Sequence, residues 1–145
     1  MNITVRRAKL DELEWVNKQY ERIGFRPSQS NREVIAIALL DGKKVVLGRL
    51  QRIDSSNAEL GGMYVNEHFR GRKLAESIVR FLLKHTKQYE HLYCLPFSHL
   101  ADFYQRFGFH LTTNQQIPKA IIEKHQWCNK TYEHETYLFE LHLPT

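Results

Sequence analysis

The chain predicts a mixed α/β fold, a sheet of several strands with helices on its faces, and three features of the sequence carry that prediction. Short β-branched runs such as "EVIAIALL" and "KVVLGRLQRI" have strand character. Two other stretches repeat apolar residues at helical spacing: Leu10, Leu13, Val16 and Tyr20, then Leu74, Ile78, Phe81 and Leu82. The dipeptide Asp41-Gly42 joins two of the strand runs and tolerates positive φ at both positions, so it marks an antiparallel hairpin.

Taken in order, "NITVRRA" alternates as a short strand, and "KLDELEWVNKQYERIG" reads as a helix closed by Gly24 at its C-terminus. An irregular segment follows, then the hairpin strands "REVIAIALL" and "KVVLGRLQRID" and a further strand at "NAELGGMYV". A basic turn leads into the helix "LAESIVRFLLKHTK", whose apolar stripe needs a sheet to cover it. "YEHLYCLP" supplies the next strand, and Ser98 is the expected N-cap of "HLADFYQRF", which ends at Gly108 before the strand "FHLTT". Pro118 is placed at the first position of a short helix, "PKAIIEKHQ", and "HETYLFELHL" alternates as the last strand. The order is β-α-β-β-β-α-β-α-β-(short α)-β, with no repeat and no Gly/Ser-rich linker, so residues 1–145 read as one domain.

Composition narrows the function classes. The longest apolar runs fall well short of a membrane span, and the N-terminus has no long apolar segment of a signal peptide while carrying Asp and Glu, so a cytoplasmic protein without membrane association is expected. Cys94 and Cys128 lie far apart with no CxxC pairing and no histidines at metal spacing; they are expected to be reduced thiols, with no metal site. A net charge of +5 favours an anionic partner. Nucleic acid is disfavoured, because no basic run interleaves with stacking aromatics and no recognition helix is legible. The cations concentrate instead at Arg70, Arg72 and Lys73, in a turn between a strand and a long helix. Unpaired amides and the positive dipole end at such a helix start suit an anion, phosphate above all, and Gly71 lets the backbone come close. A plain strand-to-helix connection would use the same residue types.

The run "VNEHFRGRKLA" resembles the signature of the GNAT superfamily of acyl-CoA-dependent N-acetyltransferases, a strand ending in Val followed by R/Q-x-x-G-x-G/A opening a helix. Arg70 matches the first motif position and Ala75 the last, while Lys73 stands where the middle glycine is usual. A second landmark, "FYQRFGF" from Phe103 to Phe109, matches a helix with an aromatic-Tyr pair followed by Gly-Phe entering a strand. With both landmarks on matching elements, the resemblance spans nearly the whole chain. It implies a mostly antiparallel central sheet of six to seven strands with helices on both faces, and acetyl-CoA as cosubstrate without a metal. It also implies cofactor contacts at Met63, Tyr64 and Val65 for the pantetheine arm, and at Arg70, Gly71, Arg72, Lys73, Leu74 and Ala75 for the phosphates.

The implied reaction moves an acyl group from a thioester to an amine, and needs a neutral amine, a polarised carbonyl and a proton for the departing thiolate. Tyr104 matches the family's proton donor, and a phenol of ordinary pKa, about 10, is protonated at neutral pH. Glu59 is the candidate base, because strand alternation puts it on the face of Gly61 and Met63; family members also use ordered water. A backbone amide of Met63 or Val65 would polarise the carbonyl. The acceptor is expected to be a primary amine of a small molecule, amino acid or peptide, met by the first helix, the segment after it with Arg22, Arg26 and Arg32, and the final strands. The "IPKAIIEKHQWCNKTYEHE" segment covers the acceptor cleft or forms a homodimer surface. The alternative is a non-catalytic CoA-binding sensor or interaction domain, to which the Lys73 departure points.

Overall fold

A computed structural model of the protein describes residues 2–29, 32–70, 73–113 and 115–144. In chain order the elements are β1 (Ile3–Arg7), α1 (Leu13–Arg22), β2 (Glu33–Leu40), β3 (Lys43–Arg52), β4 (Asn57–Val65) and α2 (Leu74–Leu83). Then come β5 (His91–Cys94), α3 (Ala101–Gln105), β6 (His110–Leu111), α4 (Lys119–Thr131) and β7 (Phe139–His142). The seven strands form one sheet in the order β1-β2-β3-β4-β5-β7-β6, in which β4 and β5 are parallel while β1-β2, β2-β3, β5-β7 and β6-β7 are antiparallel. The expected element order and mixed, mostly antiparallel sheet are therefore present. By its contacts the chain divides into two compact units, Met1–Gln51 with Gly62–His85, and Arg52–Gly61 with Thr86–Thr145.

In the first unit the register explains how one sheet serves two helices. Ile37 lies opposite Leu47 and Ala36 opposite Gly48, so the pairs point to alternate faces. Val16 and Tyr20 of α1 form a core cluster with Ile35, Ile37 and Leu47. On the other face a Cβ at Gly48 would fall 2.7 Å from Ile78 and 3.5 Å from Leu82 of α2, so the missing side chain is what admits that helix. The expected α2 stripe is buried at Leu74, Ile78 and Leu82, joined by Val79, while Phe81 is only half-buried. Leu10, expected on the α1 stripe, lies instead in a 3₁₀ turn before the helix and is 77% exposed.

Local chemistry ends these elements as the sequence dictates. Asp41 and Gly42 have φ of 50° and 84°, the two positive values a tight hairpin needs. At the end of α1, the Gly24 amide donates to the Glu21 carbonyl at 3.2 Å and the Phe25 amide to the Tyr20 carbonyl at 2.9 Å, a Schellman closure with Gly24 at φ 76°. The Phe25 ring then packs against Tyr20, with centroids 6.1 Å apart.

In the second unit, Asn57 to Leu60 of β4 pair with His91 to Cys94 of β5, and β7 pairs with β5 and β6. Ala58, Leu60, Leu92, Tyr93, Phe109, Ile121 and Phe139 form the core of this unit. The capping expected of Ser98 does not occur: Ser98 opens a 3₁₀ turn, Ser98–Leu100, capped by Phe97 without a side-chain hydrogen bond. Pro118 is the N-cap of α4 rather than its first residue, and α4 continues to Thr131, beyond the short helix expected.

Candidate functional site

The first unit holds the strand-to-helix connection singled out by its cations. Strand β4 kinks at Gly62, φ 61°, and the next three residues, Met63, Tyr64 and Val65, are half-buried at the strand end. The kink is held from α1, where the Tyr20 hydroxyl donates to the Gly62 carbonyl at 2.8 Å. Beyond Val65 the Asn66 amide donates to the Val45 carbonyl at 2.8 Å, and the Asn66 side chain accepts from the His68 amide at 3.1 Å, capping a 3₁₀ turn over Glu67–Phe69. The Lys43 ammonium lies 5.5 Å from the centre of the Phe69 ring. Arg70 is extended and exposed; Gly71 and Arg72 lie outside the described residues.

Lys73 is exposed and caps α2 in the left-handed conformation, φ 60° and ψ 19°. This is the position where the resembled motif has glycine, and the backbone shows the reason: an L-residue there is strained, and glycine is not. Leu74 is buried at 2% exposure, so its side chain anchors the helix and its amide is what it can offer a ligand. Ala75 is half-buried and its methyl leaves the first turn narrow. The first-turn amides have no acceptor within the helix, and Arg70 and Lys73 stand beside them in sequence, so the residues present fit a phosphate group.

The second unit holds Glu59 and Tyr104. Glu59, expected near the start of β4, is buried at 4% exposure, with the Lys124 ammonium of α4 donating to both of its oxygens at 2.9 Å. Its carboxylate flanks Gly61, where a Cβ would fall 3.4 Å from Oε2.

Tyr104 is 5% exposed on α3, edge-on to Phe103 with centroids at 4.9 Å and to Phe109 at 6.2 Å. Burial, and then the nearby Cys94, push its phenol well above its ordinary pKa, so it carries its proton throughout the neutral range. Burial, followed by the Glu59 charge, also pushes the Cys94 thiol up, and Lys124 opposes this only in part; Cys94 is a neutral thiol and no nucleophile. Both cysteines are buried thiols. Among the described residues no group of three or more His, Cys, Asp or Glu side chains is placed to hold a metal ion, and no helix is long and apolar enough to cross a membrane.

Sequence reasoning missed three residues. Lys124 reads as one cation among several on a surface helix, yet it holds Glu59. Arg49, within the run "KVVLGRLQRID", is 2% exposed, and Tyr20 does more than fill the core. Gly61-Gly62 is the available signal, because two glycines inside a strand mark a place where something comes close.

Comparison with known proteins gives this geometry its family. The profile of the acetyltransferase (GNAT) domain matches residues 31–111, more than half of the chain. No curated protein sequence matches it. Among solved structures, N-acetylglutamate synthase from Neisseria gonorrhoeae, complexed with coenzyme A and N-acetyl-glutamate, superposes with a TM-score of 0.75 at 11% identity. The match covers 100% of this chain and 36% of that one, so the present chain spans about a third of that enzyme. The ribosomal-protein-S18-alanine N-acetyltransferase from Escherichia coli gives 0.73 at 14% identity, covering 99% of this chain and 96% of that one. A GNAT family acetyltransferase from Elizabethkingia anophelis with acetyl-CoA bound gives 0.69 at 15%, covering 98% and 99%. At such identities these structures show a shared fold, and with the profile match across strands β2 to β6 the chain belongs to the GNAT acetyltransferase family.

Proposed function

We propose that the protein is an acetyl-CoA-dependent N-acetyltransferase that moves an acetyl group directly to a primary amine of a small molecule, amino acid or peptide, with the cytoplasm as its compartment. The observation that carries the reading is the start of α2, where Lys73, exposed and left-handed at φ 60°, stands at the glycine position of the family motif with the exposed Arg70 before it. Met63, Tyr64 and Val65 would hold the pantetheine arm through their backbone, and Arg70, Gly71, Arg72, Lys73, Leu74 and Ala75 the phosphates. The acceptor class draws support from relatives of the same fold, one found with N-acetyl-glutamate and another named for a protein alanine.

Acetyl-CoA supplies the acyl thioester; the amine nitrogen bonds to its carbonyl carbon, the carbon–sulfur bond breaks, the nitrogen sheds a proton and the sulfur gains one. The amide of Met63 or Val65 polarises the carbonyl. Tyr104 gives its phenolic proton to the sulfur, a role suited to a phenol that burial keeps protonated. Glu59 takes the proton of the amine, with Lys124 fixing its carboxylate in one orientation. The α4 segment walls the acceptor or forms a homodimer surface.

The test is binding followed by turnover. At about 100 times its dissociation constant, CoA should stabilise the fold by roughly 2.7 kcal/mol, and inorganic phosphate should not reproduce the effect. A panel of amines with acetyl-CoA should then release free thiol. Absent binding by calorimetry and an unmoved melting temperature would refute the cofactor site. Binding without turnover on any amine would favour the non-catalytic sensor, the reading suggested by a lysine in the glycine position.

A further inference from the structure

The first unit contains a buried guanidinium that no step above uses. Arg49 of β3 is 2% exposed. Register places Arg49 opposite Ile35, on the α1 face of the sheet, where the guanidinium carbon lies 4.3 Å from the centre of the Tyr20 ring. Buried charges are compensated by a counter-ion or by hydrogen bonds, and Arg49 has both in an unusual division. Glu33, buried at the start of β2, is its counter-ion, yet Nε and Oε1 stand 4.0 Å apart and neither has a hydrogen-bond partner.

Arg49 and Glu33 spend their hydrogen bonds on the irregular segment between α1 and β2. Arg49 Nη1 donates to the Arg26 carbonyl at 2.9 Å and to the Ser28 hydroxyl at 2.7 Å. The Gln29 amide donates to Glu33 Oε2, and Asn17 of α1 both accepts from the Ser28 amide at 2.7 Å and donates to its carbonyl at 3.2 Å. Arg26, Pro27 and Gln29 are exposed, and only Ser28 is buried, so this segment is held to the protein chiefly by polar contacts.

The same guanidinium also bears on the cofactor strand. A Cβ at Gly62 would fall 2.5 Å from the Tyr20 hydroxyl and 2.8 Å from Arg49 Nε, so these two groups occupy the space that the kink leaves. The Tyr20 hydroxyl completes the link by donating to the Gly62 carbonyl. A continuous path runs from Ser28 through Arg49 and Tyr20 to Gly62, one residue before the proposed pantetheine contacts. If the segment leaves, Arg49 loses both of these acceptors, and the Glu33 oxygen that has no hydrogen-bond partner stands 4.0 Å from its Nε.

We propose that Arg49 is a positioning residue that couples the docking of the segment Arg26–Gln29 to the conformation of β4 at Gly62, so that cofactor binding and the placement of that segment reinforce each other. The proposal rests on reading the end of β4 as the cofactor strand. In that reading the segment walls the acceptor side, and the coupling would order it once the cofactor is bound.

Hydrogen exchange at the Ser28 and Gln29 amides, measured with and without saturating CoA, tests it without knowledge of the acceptor. The wild type should show exchange slowed by about tenfold on CoA binding, within the usual range of coupling between sites. The Asn2 amide, bonded to Asp41 at the hairpin of the same unit, should not respond. Tyr20→Phe keeps the ring under Arg49 and removes only the bond to Gly62; it should abolish the CoA-dependent slowing while the fold persists. Ser28→Ala should weaken CoA by several-fold from a residue that has no place in the cofactor contacts, a reciprocal effect that a purely structural serine would not produce. If CoA binds and both variants keep the wild-type affinity and protection, Arg49 is a structural filler and the proposal is overturned. If calorimetry shows no CoA binding to the wild type, the cofactor reading fails instead. The coupling is then judged in the free protein, where Tyr20→Phe should speed Ser28 and Gln29 exchange by about tenfold, and unchanged rates would overturn it.

Discussion

Lys73 offers a measurement that separates backbone from charge. It holds φ 60° at the cap of α2, in a region that costs an L-residue about 1–2 kcal/mol. Replacing it with glycine removes that strain but adds freedom to the unfolded chain worth roughly 0.4–1 kcal/mol, so Lys73→Gly should stabilise the protein by about 0.5–1 kcal/mol. Lys73→Ala keeps the strain and should change stability by no more than about 0.5 kcal/mol, because the side chain is exposed. For a chain of 145 residues, 1 kcal/mol corresponds to about 3–4 °C in melting temperature, which calorimetry resolves. Both variants lose the ammonium, and an exposed charge beside a phosphate contributes about 1 kcal/mol or less. CoA affinity should therefore fall by up to about fivefold in Lys73→Ala, and by less in Lys73→Gly, where the backbone can approach; neither should exceed tenfold, or about 1.4 kcal/mol. A glycine variant that melts below the alanine variant would refute the backbone argument. A loss of affinity well beyond tenfold in both would make the ammonium a principal ligand, and a large gain in the glycine variant would show that the native loop is compromised for CoA.

Three further outcomes are expected. Tyr104→Phe should leave CoA affinity and melting temperature nearly unchanged while turnover falls by about 10²- to 10⁴-fold, and turnover within a few-fold of wild type would return Tyr104 to a packing role. Lys124→Met strands the buried Glu59 carboxylate and should destabilise the protein by about 2–4 kcal/mol, recovered in part by adding Glu59→Gln; chemical denaturation of the single and double variants checks this, and additive losses would refute the pairing. Glu12, buried and bonded by Arg6 at 2.7 and 3.0 Å and by Lys44 at 2.9 Å, is held below the ordinary carboxylate range chiefly by Arg6. Because its folded pKa is depressed, its contribution is present above the unfolded value of about 4.5 and lost as pH falls below it; Glu12→Gln should cost about 2 kcal/mol at neutral pH and flatten the acid limb of a stability-versus-pH curve.

What could be read from the sequence alone was local. The Asp41-Gly42 hairpin, the Gly24 closure of α1 and the buried stripe of α2 each depend on residues within a turn or two of one another, so propensity and period suffice. The family motif also lies within one stretch, and its departure at Lys73 was visible as a letter before φ 60° gave it a physical meaning. Where local signals competed, tertiary packing decided: Leu10 has helical spacing but is exposed, and Ser98 has capping chemistry but sits inside a 3₁₀ turn ahead of the helix it was expected to cap.

Which polar groups meet inside the molecule was settled only by the fold. Glu59 and Lys124 are 65 residues apart in sequence, Arg49 and Ser28 are 21 apart, and Tyr20 and Gly62 are 42 apart. Nothing in a period or a propensity links such positions, because a buried charge or carbonyl is satisfied by whichever partner the folded chain delivers to it. Arg49 shows the difference most plainly. By its residue type it belongs at the surface, and it is buried because strand register turns it toward α1, where a tyrosine ring from that helix and a carbonyl and a hydroxyl from the segment after it meet its guanidinium.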